Sequence, residues 1–270
     1  MEKKKIGIIG CGNMGEAILR GLLQKGMTKG VKVSEPRSDR REYIKKNYGV
    51  EAIEDNRAIA SQAQVVILAV KPQELKGVLQ EISPVLGPAT LLISIAAGAS
   101  LGAIAAILAK DVRLIRAMPN MAALALESAT ALSPGAGAAA ADLDAAREIF
   151  NAMGMTVIIP EPLMDAVTGM SGSGPAYVSL FIEALAEGGV RMGLPRKDAL
   201  ALAIQTVLGT AKLLIEQGEH PAHLRDRVAS PGGTTIAGIA ALEAKGFRGA
   251  VMEAVAAATQ RSKELAKLAG

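Results

Sequence analysis

The sequence predicts an α/β protein, with a mostly parallel sheet over residues 1–162 and an all-α segment over 163–270. Three observations lead there. Short apolar, β-branched runs alternate with amphipathic stretches at helical spacing through the first part. A glycine-rich turn joins the first such run to the first helix. After Pro162 the strand signal stops and only helical periodicity continues. Strands alternating with helices need crossover connections, which cover both faces of a parallel sheet.

The elements follow in order. Ile6 to Ile9 reads as a strand, and the helix from Met14 carries Ile18 and Leu22 on one face. Val31–Ser34, Val65–Ala69, Leu91–Ile95, Arg113–Ala117 and Thr156–Ile159 read as further strands, with helices over Ser38–Tyr48, Pro72–Ile82 and Asp142–Asn151. Pro134–Ala141, an Ala and Gly stretch, reads as a mobile loop leading into a helix, without chemistry. The helical part comprises Ala176–Met192, Lys197–Gln217, Thr234–Lys245 and Phe247–Leu268. Along Lys197–Gln217 the stripe Leu200, Ile204, Leu208, Ala211 and Ile215 is widened by Ala203, Val207 and Leu214, so this helix needs neighbours on two sides. A helical tail of roughly one hundred residues is small for a core of its own, which points to pairing with a second copy.

Composition narrows the function. Half of the 270 residues are hydrophobic, but aromatics are only 2% and Trp is missing, so cores are aliphatic and stacking platforms for single strands are not expected. The net charge of +4 is spread along the chain without a basic stripe, so no nucleic-acid partner is expected. One cysteine and two histidines leave no disulfide framework and no thiolate or histidine metal site, and place the protein in a reducing, cytoplasmic compartment. His220 and His223 flank Pro221, which marks a helix start more than a ligand pair. Ile82–Ala109 carries no charge and is long enough to span a bilayer, but Pro84, Gly87, Pro88, Gly98 and Ser100 divide it into a strand and a helix, so no membrane partner is expected. The apolar start after Met1–Lys5 is cut short by Asn13 and Glu16, so no export signal is read.

Gly10-Cys11-Gly12-Asn13-Met14-Gly15 is a G-x-G-x-x-G sequence placed between strand and helix. Gly10 permits the tight turn, Gly12 lets backbone approach a pyrophosphate, and Gly15 allows close helix–strand packing. The helix N-terminus supplies unpaired N–H groups to anionic oxygens, so a nicotinamide dinucleotide, NADH or NADPH, is the expected cofactor on a Rossmann domain. Cys11 reads as a small buried thiol, because hydride chemistry needs no nucleophile. Preference between the cofactors is contested at the end of the second strand. Glu35 there can accept from a ribose 2′-hydroxyl and repel a 2′-phosphate, whereas Arg37, Arg40 and Arg41 can neutralise that phosphate or simply form a solvated helix face. The balance leans slightly to NADH with both usable. A second glycine-rich run, Ser230-Pro231-Gly232-Gly233-Thr234-Thr235, opens a later helix; it reads either as an anion nest for a small carboxylate or as an ordinary capped helix start.

These residues together resemble the pyrroline-5-carboxylate reductase family. The match spans essentially the whole chain: Gly10 to Gly15, Ala69-Val70-Lys71-Pro72, Ala96-Ala97-Gly98, Arg116-Ala117-Met118-Pro119-Asn120, Asp165 to Gly169, Ser171 to Tyr177, and Ser230 to Thr235. The resemblance implies an N-terminal Rossmann domain and a helical dimerisation and substrate-binding domain. It implies a homodimer, often assembled into decamers, with the active site at the dimer contact. It also implies reduction of 1-pyrroline-5-carboxylate to L-proline, the last step of proline biosynthesis. Carried over by position, it puts the cofactor on Gly10, Cys11, Gly12, Asn13, Met14 and Gly15, near Glu35 and Asn56, along Ala69, Val70, Lys71 and Pro72, and on Ile95, Ala96 and Ala97. The substrate carboxylate falls on Ser230, Gly232, Gly233 and Thr234, with Thr235 hydrogen-bonded to the ring nitrogen. Two departures stand out: Met121-Ala122 follows Asn120 where the family usually has Thr-Pro, and Glu127-Ser128 replaces Glu-Gly. Arg227 stands where some relatives carry an amide and receives no substrate role.

The chemistry agrees with sparse acid groups. A protonated imine is already activated toward hydride, whereas a ketone develops charge on oxygen and calls for a general acid. Only Lys71 and Tyr177 lie near the motifs, and they read as a solvated loop lysine and a packed helix tyrosine more than as acids. Two alternatives stay open: a hydroxyacid dehydrogenase-like NAD(P) enzyme, which lacks its expected lysine between Pro175 and Lys197, and a non-catalytic dinucleotide-binding redox sensor.

Overall fold

The computed structural model describes residues 4–27, 30–109 and 111–269. The chain divides into two compact units, Met1–Ser173 with Ala257–Gly270, and Gly174–Ala256. In the first unit the chain runs β1 (Ile6–Ile9), α1 (Asn13–Gln24), β2 (Val31–Ser34), α2 (Ser38–Tyr48), β3 (Ala52–Ile53), α3 (Asn56–Gln62), β4 (Val65–Leu68) and α4 (Pro72–Ile82). It continues through β5 (Leu91–Ser94), α5 (Leu101–Leu108), β6 (Arg113–Met118), β7 (Ser128–Pro134), α6 (Ala140–Phe150), β8 (Gly154–Ile158) and α7 (Met164–Val167). The eight strands form one sheet in the order β3-β2-β1-β4-β5-β6-β7-β8. Pairing is parallel except between β6 and β7, and β8 runs parallel to β7.

Strands β1, β4 and β5 are buried throughout, as expected for a sheet covered on both faces. Their side chains divide with period two between two cores. Ile6, Ile8, Val65, Ile67, Leu91 and Ile93 pack with Ile18, Leu22, Ile44, Ile149 and Phe150. Ile9, Val66, Leu68 and Leu92 pack with Ile59, Leu75, Leu79 and Ile104. The uncharged stretch Ile82–Ala109 resolves into the end of α4, a turn, β5 and α5; Leu91 and Ile93 of β5 face the first core, and Ile82, Leu92, Leu101, Ile104 and Leu108 lie within the second.

Strand β7 and helix α3 had no distinct sequence signal. The alternating small and hydroxyl residues of Ser128–Pro134 are weak strand formers, and the strand is stabilised by its neighbours on both sides and by a Ser128–Thr130 hydroxyl contact of 3.0 Å. The Ala and Gly stretch is a loop over 135–139 that leads into α6, as expected, and it lies close against its neighbours. A Cβ on Gly135 would lie 3.1 Å from the Leu114 carbonyl oxygen and one on Gly137 2.9 Å from that of Val112, so small residues permit a backbone-to-backbone approach. Gly154 is tighter still: its φ is +145° and a Cβ would overlap the Ser128 backbone. Gly154→Ala should therefore lower stability by at least about 3 kcal/mol, read as a drop in thermal midpoint by circular dichroism.

The second unit contains α8 (Gly174–Arg191), α9 (Arg196–Gln217), α10 (Pro221–Val228), α11 (Thr234–Ala244) and the first part of α12 (Phe247–Ala269). Its buried cluster is small, Ala186, Ala199 and Ala203 with Ile182 and Val190 against them. The α9 stripe is instead exposed, with Leu208 at 56% and Ile215 at 81%. Among the described residues α9 is the one helix long and apolar enough to cross a membrane, by length and composition alone. The sheet ends near residue 162, but packing assigns residues up to 173 and the end of α12 to the first unit. One tie there is the hydrogen bond from Ser262 Oγ to Asp165 Oδ1, 2.7 Å.

Candidate active site

In the first unit β1 leads on to β2 and β3 on one side while β4 to β6 extend the other, so a crevice opens at the carboxyl ends of β1 and β4. The glycine turn lies there. Gly10 has a φ of +85°, and a Cβ on it would approach the Ala69 carbonyl oxygen at 2.8 Å and Val70 at 2.9 Å. A Cβ on Gly15 would overlap the Gly10 carbonyl oxygen, whereas a Cβ on Gly12 meets nothing within 4 Å. Gly12 caps α1 without a side-chain cap bond, so the first-turn N–H groups of the helix, beginning with Asn13 and Met14, have no partner within the helix, and the space beside Gly12 is open. An anionic pyrophosphate fits such a cradle.

The other expected cofactor residues line the same end of the sheet. Ala69 and Val70 follow β4, and Lys71 and Pro72 begin α4, with Lys71 as its exposed N-cap and Pro72 in the first turn. Ile95, Ala96 and Ala97 follow β5; the Ile95 N–H donates to the Leu68 carbonyl at 3.1 Å and Ala97 is exposed. Asn56, at the start of α3, accepts from Ser34 Oγ at 2.6 Å and donates to Glu81 Oε2 at 2.8 Å. Glu35 is buried, and its carboxylate accepts from the Cys11 N–H at 2.9 Å and the Arg37 N–H at 3.2 Å. The three arginines separate. Arg37 is exposed and paired with Asp39, while Arg41 donates to the Glu35 and Pro36 carbonyls. Arg40 turns inward: its Nε donates to the Cys11 carbonyl at 2.8 Å and its Nη2 pairs with Glu16.

Glu16, Tyr43 and Tyr48 complete a cluster that the sequence did not single out. Both tyrosine hydroxyls donate to Glu16 Oε1, and the Arg40 guanidinium lies 4.6 Å from the Tyr43 ring centre. Burial pushes the Glu16 carboxyl up, but hydrogen bonds from Tyr48, Arg40 and Tyr43 outweigh it and hold the group below its ordinary value. Burial, followed by the Glu16 bond, raises the Tyr48 phenol. Cys11 is fully buried, and its thiol is pushed up to about 12, first by burial and then, against the opposing Arg40 charge, by Glu35 and Glu16. Its burial agrees with a packing role for the thiol.

In the second unit Ser230 to Gly233 form a turn with Pro231 and Gly232 at its centre. The Gly233 N–H donates to the Ser230 carbonyl at 3.0 Å, and Gly232 has a φ of +67°, the geometry of a type II turn. Gly233 caps α11 with no side chain on the helix start, so Thr234 and Thr235 begin a helix with open N–H groups. Thr235 also lines a groove of about 560 Å³ between α9 and α10. His220 caps α10, its Nδ1 accepting from the Ala222 N–H at 3.2 Å, which agrees with the helix start expected at Pro221. Tyr177 donates to the Ala254 carbonyl at 3.3 Å, and Arg227 pairs with Glu219 and Gln217.

Comparison with known proteins decides the family. Residues 161–265 match the family model described as pyrroline-5-carboxylate reductase dimerisation, and residues 5–98 match one described as NADP oxidoreductase, coenzyme F420-dependent. A pyrroline-5-carboxylate reductase of Methanosarcina acetivorans is 46% identical, covering 99% of this chain and 100% of that protein. One from Synechocystis is 51% identical, covering 97% and 98%. The chain belongs to the pyrroline-5-carboxylate reductase family. The solved reductase of Coxiella burnetii is similar with a TM-score of 0.95 at 36% identity, covering 98% of this chain and 99% of that one. That of Plasmodium falciparum, solved with NADP bound, has a TM-score of 0.86 at 32% identity, covering 98% and 99%. The hydroxyacid dehydrogenase and redox-sensor alternatives find no support.

As a member of this family, the chain self-associates through a dimerisation region, and within their own unit α9 and its neighbours expose apolar side chains. Its thermal midpoint should therefore rise with protein concentration; a midpoint constant over a hundredfold dilution, about two decades in mass action, would contradict this. The departure after Asn120 has a clear conformation. The Asn120 side chain accepts from the Ala122 N–H at 3.2 Å and starts a short 3₁₀ turn, and Ser128 Oγ accepts from the Asn120 N–H at 3.2 Å. The serine that replaces glycine thus supplies a bond to the departing loop.

Proposed function

We propose that this reductase transfers hydride from NADH or NADPH to 1-pyrroline-5-carboxylate, with the cofactor on the Gly10–Gly15 turn and the substrate on the Ser230–Thr235 turn. The observation that carries this is the recurrence of one device: a glycine N-cap without a side-chain cap, at α1 in one unit and at α11 in the other. Each presents backbone N–H groups to an anion without a competing acceptor. When bound, the dihydronicotinamide supplies the hydride.

The chain's own groups hold and orient. Ser230, Gly232, Gly233 and Thr234 receive the substrate carboxylate at the start of α11, where the helix field favours negative charge. Thr235 hydrogen-bonds the ring nitrogen and fixes the C=N bond. An alcohol is too weak an acid to deliver a proton at neutral pH, so the proton reaches nitrogen from solution, and orientation provides much of the rate. Along the cofactor, Asn13, Met14, Asn56, Ala69 to Pro72 and Ile95 to Ala97 line the crevice. Glu35 holds the glycine turn, and Arg37 is the exposed cation available to a 2′-phosphate. Association as a homodimer, with further assembly into a decamer, and a cytoplasmic location complete the reading. The test is direct: purified protein with NADH or NADPH and pyrroline-5-carboxylate oxidises the cofactor and yields proline, and no oxidation with either cofactor would refute it.

A further inference from the structure

We infer that Arg40 is a positioning residue, held by Glu16, whose carboxylate is in turn held by Tyr48, that clamps the Cys11 carbonyl and thereby aims the Gly12 N–H at the cofactor's pyrophosphate. The inference rests on the dinucleotide reading of the glycine turn. Cys11 is gripped at both ends by the segment after β2: its N–H donates to Glu35 Oε2 at 2.9 Å, and its carbonyl accepts from Arg40 Nε at 2.8 Å. The Cys11–Gly12 peptide is planar and trans, so a carbonyl drawn toward Arg40 sends the Gly12 N–H the opposite way. On Gly12 there is open space, where a Cβ would meet nothing within 4 Å.

Arg40 reaches the carbonyl with one arm because Glu16 holds the other. Glu16 is in the first turn of α1, so the same clamp ties the helix whose N-terminus forms the cradle to the segment that follows β2. The Tyr48 and Tyr43 hydroxyls both donate to Oε1, the carboxylate oxygen that Arg40 leaves open. Only 17% of the side-chain surface of each partner is exposed, so the pair is shielded from solvent more than a surface ion pair. Arg40 therefore acts on the part of the cofactor common to NADH and NADPH, whereas Arg37, 67% exposed in its side chain and paired at the surface with Asp39, is the cation that would act on the 2′-phosphate alone.

Titration of both cofactors by nicotinamide fluorescence, without substrate, tests this. Arg40→Ala should weaken NADH and NADPH by the same factor, about tenfold, since a lost charge-assisted hydrogen bond is at stake. Arg40→Lys, which keeps the charge but cannot fork between Cys11 and Glu16, should recover only part of that loss. Tyr48→Phe, a milder change that leaves the ion pair, should weaken both cofactors together by about twofold or more, and serves if Arg40→Ala fails to fold. Arg37→Ala should move the ratio of the two dissociation constants against NADPH. Loss confined to NADPH in the Arg40 variants, or equal binding to the unsubstituted chain, would overturn the clamp. Failure of the unsubstituted chain to bind either cofactor would instead refute the dinucleotide reading itself.

Discussion

Thr235→Ala lowers turnover by about 10- to 100-fold while the NADH dissociation constant stays within about twofold, because a hydrogen bond to a charged group is lost at the reacting nitrogen and none at the cofactor. The measurement is steady-state turnover alongside direct cofactor titration. Thr235→Ser keeps the hydroxyl and should restore most of the rate, which separates hydrogen bonding from mere filling of the groove beside α9 and α10. Full turnover by the alanine variant would remove Thr235 from the site. A parallel loss of NADH affinity would show that its role is to hold the fold.

The second large effect distinguishes two glycines of one motif. Gly12→Ala adds a methyl where the structure has only open space, so the protein should fold with an unchanged thermal midpoint. That methyl nevertheless occupies the approach of the pyrophosphate, and both dissociation constants should rise by about 10- to 100-fold, the range set by a methyl forced into a close contact. Gly15→Ala fails differently. Its Cβ would overlap the Gly10 carbonyl oxygen, so α1 must move off β1, and stability should fall by about 2–3 kcal/mol together with cofactor binding. Calorimetry and cofactor titration on the two variants check the pair. A destabilised Gly12→Ala variant would contradict the open cradle.

Why was one part of the site legible and another not? The glycine turn, the β1 strand and the start of α1 are adjacent in the chain, and the demands for positive φ, close packing and an open helix start select glycine at fixed offsets. The Ser230–Thr235 turn is legible for the same reason, since Pro231 and Gly232 occupy the positions a type II turn requires. By contrast Glu16, Arg40 and Tyr48 are separated by 24 and 32 residues from Glu16, and nothing in their spacing announces that three polar groups converge. Part of the role of Glu35 was equally hidden. The sequence reads it as an acceptor for a ribose hydroxyl, and the fold adds that its buried carboxylate takes two backbone N–H groups, one of them from the turn itself.

What the sequence determined by itself was local: which apolar runs become strands buried on two faces, where the long amphipathic helices lie, and where a backbone must carry no side chain. Periodicity and backbone sterics act within a few residues, so they are written in order along the chain. Only the tertiary structure decided that β7 enters antiparallel beside β6, that Arg40 turns in to Cys11 while Arg37 stays in solvent, and that the α9 stripe has no cover within its own unit. Those outcomes depend on which distant groups meet and how much water they exclude, and neither quantity exists until the chain has packed.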